Sequence, residues 1–111
     1  MIVTTTRITV SSANRSELFQ TILTLLTPVK NEKGCLSSRF YLDSADTNCS
    51  MLVEEWETVE DWENHLRSRD CAVLLGAVSV LCKPRSVEFQ LLSYKAGIEA
   101  ITTPRTVPAM E

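Results

Sequence analysis

A single histidine and a nearby strand-like run carry the residues best suited to chemistry. His65 lies nine residues after Trp56, and Trp56 follows Glu54 at the next alternate position of the run. An imidazole exchanges protons near neutral pH, and a carboxylate beside it can act as base or acid. Alternation places Glu54 and Trp56 on one strand face, so His65, Glu54 and Trp56 form the candidate catalytic group. Core packing of His65 and a structural ion pair at Glu54 are the alternatives.

A hairpin is predicted to add substrate-binding residues to this group. Strand-like runs at 35–43 and 49–57 flank a cluster of turn-forming residues at 44–48. Closing the turn between Asp43 and Asn48 fixes the opposite pairs as Cys35 with Trp56, Ser37 with Glu54, and Arg39 with Leu52. This register predicts one polar face that holds Ser37, Arg39, Tyr41, Glu54 and Trp56.

Three residues are candidate substrate-binding side chains, two on this face and one on the helix that carries His65. Arg39 would lie diagonal to Glu54, within ion-pair reach. Tyr41 shares the predicted face, and Trp62 shares a helical face with His65. Core or interface packing is the alternative for Tyr41 and Trp62.

The remaining elements are predicted from hydrophobic periodicity and capping residues. A Thr-rich alternating run at 2–10 indicates a strand, and a helical repeat of apolar residues follows until Pro28 and Gly34 close it. Thr58 and Asp61 resemble a capping box that begins a second helical layer reaching 83–84, with a bend near 69–70 or at Gly76. Alternation at 86–95 indicates a last strand.

The order strand, helix, strand, strand, helix, strand predicts a fold of the α+β class. It is the ferredoxin-like arrangement, an antiparallel sheet with its helices on one face. Apolar residues of both parities, such as Val53 and Leu52, indicate that the other face is covered as well, and a second copy of the sheet would cover it. We expect a domain at 1–96 and a C-terminal arm or flexible tail at 97–111.

Composition excludes several classes of protein. The chain has 111 residues, a net charge of -3 and only 11 Lys and Arg residues without a basic run, so a nucleic-acid partner is not expected. There is no apolar stretch of the length that spans a membrane. Three glycines do not form a phosphate-binding loop, and four cysteines without a C-x-x-C pair indicate free thiols in a cytoplasmic protein rather than a metal site.

Three short segments resemble one known family. The run 34–36 (Gly-Cys-Leu), the strand 53–57 (Val-Glu-Glu-Trp-Glu) and the helical run 65–68 (His-Leu-Arg-Ser) are similar to the pattern of the antibiotic biosynthesis monooxygenase domain family, including its quinol monooxygenase-like members. The resemblance extends over most of 2–93 and is strongest at 34–75. It implies a dimeric α+β barrel, in which two ferredoxin-like subunits pack sheet against sheet.

The resemblance also implies an activity. Members of this family oxidise phenolic, anthrone or quinol compounds with molecular oxygen and without a cofactor. Carried onto this chain, His65 and Glu54 would position or deprotonate the substrate hydroxyl, Trp56 would stack on its ring, and Arg39 would hold the phenolate. Many relatives have a second histidine where this chain has Asp70. A non-catalytic binding dimer and a non-oxidative isomerase of the same fold are therefore the alternatives.

Overall fold

A computed structural model describes residues 1–83 and 86–92. Its elements are β1 (Ile2–Thr9), α1 (Arg15–Lys30), β2 (Cys35–Leu42), β3 (Cys49–Trp56), α2 (Val59–Leu66), α3 (Arg69–Leu81) and β4 (Val87–Leu92). The predicted arm at 97–111 and the predicted end of the last strand lie outside the described residues.

The four strands form one antiparallel sheet in the order β2-β3-β1-β4. Its buried side chains lie on the face that the helices cover, where Ile8 and Leu52 pack against Leu18 and Ile22 of α1. A smaller cluster joins Trp56 to neighbouring apolar residues at the other end of the sheet. The predicted ferredoxin-like α+β fold is confirmed.

The helices differ from the prediction at two points. Helix α1 continues through Pro28 to Lys30, because a proline in the last turn removes only one backbone hydrogen bond while Val29 is buried against the sheet. The second helical layer is two helices instead of one bent helix, and they separate at residues 67–68, close to the bend predicted near 69–70 and far from the alternative at Gly76. The hydroxyl of Ser68 accepts a hydrogen bond from the Cys71 amide at 3.1 Å, which caps α3 as a new helix.

A β-bulge alters the predicted pairing of β2 with β3. Cys35 lies opposite Trp56 as predicted, but the register shifts between Cys35 and Ser37, so that Ser37 pairs with Glu55 rather than with Glu54. A bulge places one extra residue in one strand, and every later pair is displaced with it. The predicted register is wrong beyond the bulge.

The displaced register separates residues that were predicted to share a face. Arg39 pairs with Val53 instead of Leu52, and Tyr41 pairs with Met51. These four side chains lie on the sheet face opposite the helices, which we call the open face. Glu54 points to the helices, so the predicted diagonal ion pair between Arg39 and Glu54 does not form.

No helix in the described part of the chain is long and apolar enough to cross a membrane.

Candidate functional site

His65 lies on the inner face of α2, and only 4% of its surface is exposed. The helix begins where the Thr58 hydroxyl accepts a hydrogen bond from the Asp61 amide at 3.1 Å, as the capping pattern predicted. Two turns later His65 points inward toward β3, since the helical repeat places it on the same face as Asp61 and Trp62. The imidazole is therefore buried in the interior of the fold.

The imidazole is held on three sides. Its Nδ1 atom lies 3.0 and 3.1 Å from the two carboxylate oxygens of Glu32. Its Nε2 atom lies 3.7 Å from Oε1 of Glu54. The indole of Trp56 stacks on the ring with 4.6 Å between the ring centroids and 30° between the planes. The structure thus brings together the three residues of the predicted catalytic group.

Glu32 is a residue of this site that the sequence did not indicate. It lies in the turn between α1 and β2, where its amide donates to the Val29 carbonyl at 3.0 Å and its own carbonyl accepts from the Cys35 amide at 3.1 Å. Its contact with His65 spans 33 residues, and helical or strand periodicity cannot reveal a contact of that kind. The one local signal in the sequence is Gly34, which lies two residues after Glu32 and indicates a turn.

Gly34 allows this turn to pass close beneath α2. Its φ angle of 80° lies in the region that glycine adopts without strain. A Cβ atom at this position would overlap the carboxyl group of Asp61. The carbonyl of Gly34 also accepts a hydrogen bond from the Glu57 amide at 2.8 Å, which joins the turn to the end of β3.

Its surroundings keep His65 charged at neutral pH. Burial lowers the pKa of the imidazole, but the interaction with Cys71 and the negative charges of Glu54 and Glu32 outweigh burial and raise the pKa to about 9. Both ring nitrogens then carry a proton. Stacking on the electron-rich face of Trp56 favours the same charged form.

Glu54 is shifted in a way that suits proton transfer. Burial raises the pKa of its carboxyl, while His65 and the hydroxyl of Ser38 favour the ionised form. Ser38 is the cross-strand partner of Glu54 and is itself buried, so its hydroxyl faces the carboxyl group away from solvent. A carboxylate with a raised pKa binds a proton more readily than an exposed one.

A small recess leads from α1 and α3 to these groups. Its cavity volume is about 10 Å³, which is room for about one water molecule, so an aromatic ligand would enter only if the side chains of the walls moved apart. Polar atoms at its base come from Ser38, Glu54, His65, Asp70 and Cys71. The walls are apolar and consist of Ile22, Leu25, Leu26, Val29, Leu52 and Leu74.

The predicted substrate-binding residues do not reach this recess. Arg39 and Tyr41 are exposed on the open face, on the other side of the sheet. Trp62 lies half-buried on α2 and stacks on Phe89 of β4 at 6.2 Å. Trp56 is fully buried against His65, so its contact is with the imidazole.

The four cysteines are free. Burial, Glu54 and Glu32 raise the pKa of Cys35 to about 11, so its thiol stays protonated at neutral pH. In the described part of the chain, no three His, Cys, Asp or Glu side chains are grouped so that they could hold a metal ion.

Comparison with known proteins agrees with this architecture. The structure of Rv0793 from Mycobacterium tuberculosis is similar with a TM-score of 0.79 and 21% identity, covering 87% of this chain and 97% of the other. A protein from Deinococcus radiodurans that is provisionally named an antibiotic biosynthesis monooxygenase is similar with a TM-score of 0.77 and 18% identity. The match covers 87% of this chain and 93% of the other. A protein from Nitrosomonas europaea with the same provisional name has a TM-score of 0.76 and 15% identity. The match covers 88% of this chain and 99% of the other.

These structural similarities establish the fold alone. No curated protein matches the chain. The family profile described as antibiotic biosynthesis monooxygenase matches residues 1–74, which include β1, β2, β3 and α2, the helix that carries His65. The chain belongs to the antibiotic biosynthesis monooxygenase family.

Proposed function

We propose that this protein is a cofactor-independent monooxygenase that oxidises a small aromatic substrate of the phenol or quinol type with molecular oxygen. The observation that carries the proposal is the buried imidazole of His65, which lies between two carboxylates at the base of an apolar recess. This arrangement offers a proton acceptor and a fixed positive charge to one hydroxyl group.

The geometry divides the work between the two residues at the base. A histidine whose pKa is about 9 is already protonated at neutral pH and cannot be the base. The carboxylate of Glu54 accepts the substrate proton, and the Nε2–H group of His65 stabilises the phenolate that forms. Trp56 supports the charged ring from its buried face.

Deprotonation prepares the substrate to reduce oxygen itself. A phenolate gives up electrons far more easily than its neutral phenol. When a quinol loses four electrons to O2, one oxygen atom enters the ring as a hydroxyl, the other leaves as water, and a hydroxyquinone results. The reaction needs no external reductant. The family and the names of the structural neighbours support an oxygenase of this kind.

Oxygen uptake by the purified, metal-stripped protein tests the proposal. Hydroquinone and an anthrone serve as probes, and we expect uptake that His65→Ala lowers by about 100-fold or more. Glu63→Gln is the control, because it changes an exposed carboxylate on the same helix. Equal uptake by wild type and His65→Ala would contradict the proposal. A raised melting temperature without uptake or product would favour the binding dimer, and an isomerised product would favour the isomerase.

We further propose that the protein acts as a cytoplasmic homodimer joined through the open face. Half-buried apolar side chains at Val3, Met51 and Val53 lie along the middle of this face. A second copy would cover them by sheet-on-sheet packing. Arg39 and Tyr41 would then lie at the subunit interface rather than at the substrate.

A further inference from the structure

Glu32 contacts the imidazole but does not line the recess. Its side chain is 20% exposed, whereas His65 is 4% exposed. Both of its oxygens approach the same nitrogen, Nδ1, at 3.0 and 3.1 Å. The carboxylate therefore holds one specific proton of the ring, on the side away from Glu54.

The contact fixes what the opposite side of the ring presents. A histidine that donates from Nδ1 has Nε2 directed toward the other partner, here Glu54 at 3.7 Å. That distance exceeds a good hydrogen bond, so the Nε2–H group is not consumed by Glu54. Cys71, which lines the recess, also interacts with the ring, so an oxygen atom of a ligand would reach the Nε2–H group in competition with Cys71 and with the long contact to Glu54.

We propose that Glu32 is a positioning residue that locks the His65 ring through Nδ1 and presents a protonated Nε2 to the substrate oxygen. Its role in turnover rests on the function proposed above. The effect of Glu32 on the orientation of the His65 ring does not depend on that function. Orientation of a histidine by a carboxylate on its far nitrogen is a general means of fixing the ring plane.

The other groups around the ring cannot replace Glu32. Glu54 approaches only Nε2, and Trp56 contacts the ring face. Cys71 and Asp70 of α3 line the recess beside the ring. Among the carboxylates of the described residues, only that of Glu32 is hydrogen-bonded to Nδ1.

An NMR titration of the imidazole tests the effect directly, since the chain has one histidine and its ring signals need no assignment. In Glu32→Gln, we expect the pKa of His65 to fall by about 1 to 3 pH units from the wild-type value. Glu32→Asp, which keeps the charge, should recover part of the difference. Glu63→Gln controls for the loss of one negative charge on the surface. A pKa in Glu32→Gln that equals that of Glu63→Gln would overturn the proposal.

Oxygen uptake at varied pH separates this proposal from the proposed function. The alkaline limb of the kcat profile should move down in Glu32→Gln by the same amount as the NMR pKa, with KM nearly unchanged. A shifted pKa in a protein without any uptake would leave the positioning role intact and reject the monooxygenase. Uptake that falls in Glu32→Gln while the pKa stays constant would reject the positioning role alone.

Discussion

The chemical character of this site is set by one imidazole and the charges around it. A solvent-exposed histidine is mostly neutral at pH 7, whereas His65 is buried between Glu32 and Glu54 and is charged. Under the proposed function, the same residue type therefore acts as a fixed cation and Glu54 as the base. Sequence patterns identify the residue but not its charge state, which depends on neighbours from three other elements.

The raised pKa of His65 predicts a fall in stability as pH rises. The ordinary value is 6.5 and the folded value is about 9, so the stabilisation is complete below 6.5 and is lost as pH rises toward 9. The loss in the free energy of unfolding is on the order of 2 kcal/mol. Urea unfolding at about pH 6 and about pH 8 measures it, because this range lies below the ordinary thiol pKa of about 8.5.

His65→Gln provides the reference for this measurement. The variant keeps a hydrogen-bonding side chain but does not titrate, so its stability should fall less between the two pH values. Glu54, whose pKa is also raised, changes stability in the same direction but from 4.5 upward. Equal pH dependence in wild type and His65→Gln would show that the imidazole is not charged in the fold.

The recess predicts selectivity against anionic ligands. Glu54 and Asp70 supply two carboxylates at its base, His65 supplies one positive charge, and no Lys or Arg of the described residues lines it. Phenol should therefore protect the protein from thermal unfolding at a concentration about 10-fold lower than 4-hydroxybenzoate does. Asp70→Asn should narrow this difference and Glu63→Gln should not. Equal protection by both ligands would argue against binding in this recess.

At the scale of the elements, the turn between α1 and β2 places Glu32 under the imidazole. It depends on Gly34, whose φ of 80° and close approach to Asp61 exclude a side chain. Gly34→Ala should lower the free energy of unfolding by about 1 to 2 kcal/mol from the backbone alone, and by more from the overlap. Chemical unfolding of Gly34→Ala and of the wild type measures the change in the free energy of unfolding.

Gly76→Ala is the matched control for Gly34→Ala. Gly76 lies inside α3 with open space around its Cα, so alanine should raise stability by about 0.5 to 1 kcal/mol. Opposite signs for the two substitutions are the expected result. A neutral effect of Gly34→Ala would mean that the turn tolerates a side chain, and the pKa of His65 should then be unchanged.

The elements themselves were largely predictable from the sequence, because each has a local cause. Alternation marks β1 and β3, and the Thr58 cap marks the start of α2. The bulge after Cys35 has no such signature: it places Cys35 and Ser38 on the same face, but Ser37 and Ser38 are identical residues, so the sequence does not show which of them points to the helices. This one extra residue in β2 places Arg39 on the open face, away from the site.

The candidate site was predictable only in part for the same reason. His65, Glu54 and Trp56 follow from faces within single elements, and the fold brings them together. Glu32 required knowledge of where a turn lies in space. A pairing across 33 residues depends on packing of the whole chain rather than on the pattern of any one segment.

At the scale of the whole molecule, the proposed function assigns different roles to the two faces of the sheet. The helical face holds the recess and the imidazole, and all the contacts of His65 described above come from one chain. The open face has half-buried apolar residues in its middle strands and the exposed side chains of Arg39 and Tyr41 nearby. Association and chemistry should therefore respond to different substitutions.

Val53→Glu tests this separation. Val53 lies on the open face between Thr5 and Arg39 of the neighbouring strands, and a buried carboxylate there would oppose sheet-on-sheet packing. We expect sedimentation equilibrium to give a dimer for wild type and a monomer for the variant. Val80→Glu is the control, because Val80 is 80% exposed on α3 and should leave the dimer intact.

The imidazole supplies a second readout for the same variant. Because its partners come from its own chain, the pKa of His65 in monomeric Val53→Glu should stay near the wild-type value, while circular dichroism shows an unchanged fold. A dimer that persists in Val53→Glu would place the interface elsewhere, and a monomeric wild type would reject the homodimer. If instead the pKa falls on dissociation, the second subunit must contribute to the environment of the imidazole, and the site would have to be regarded as shared between two chains.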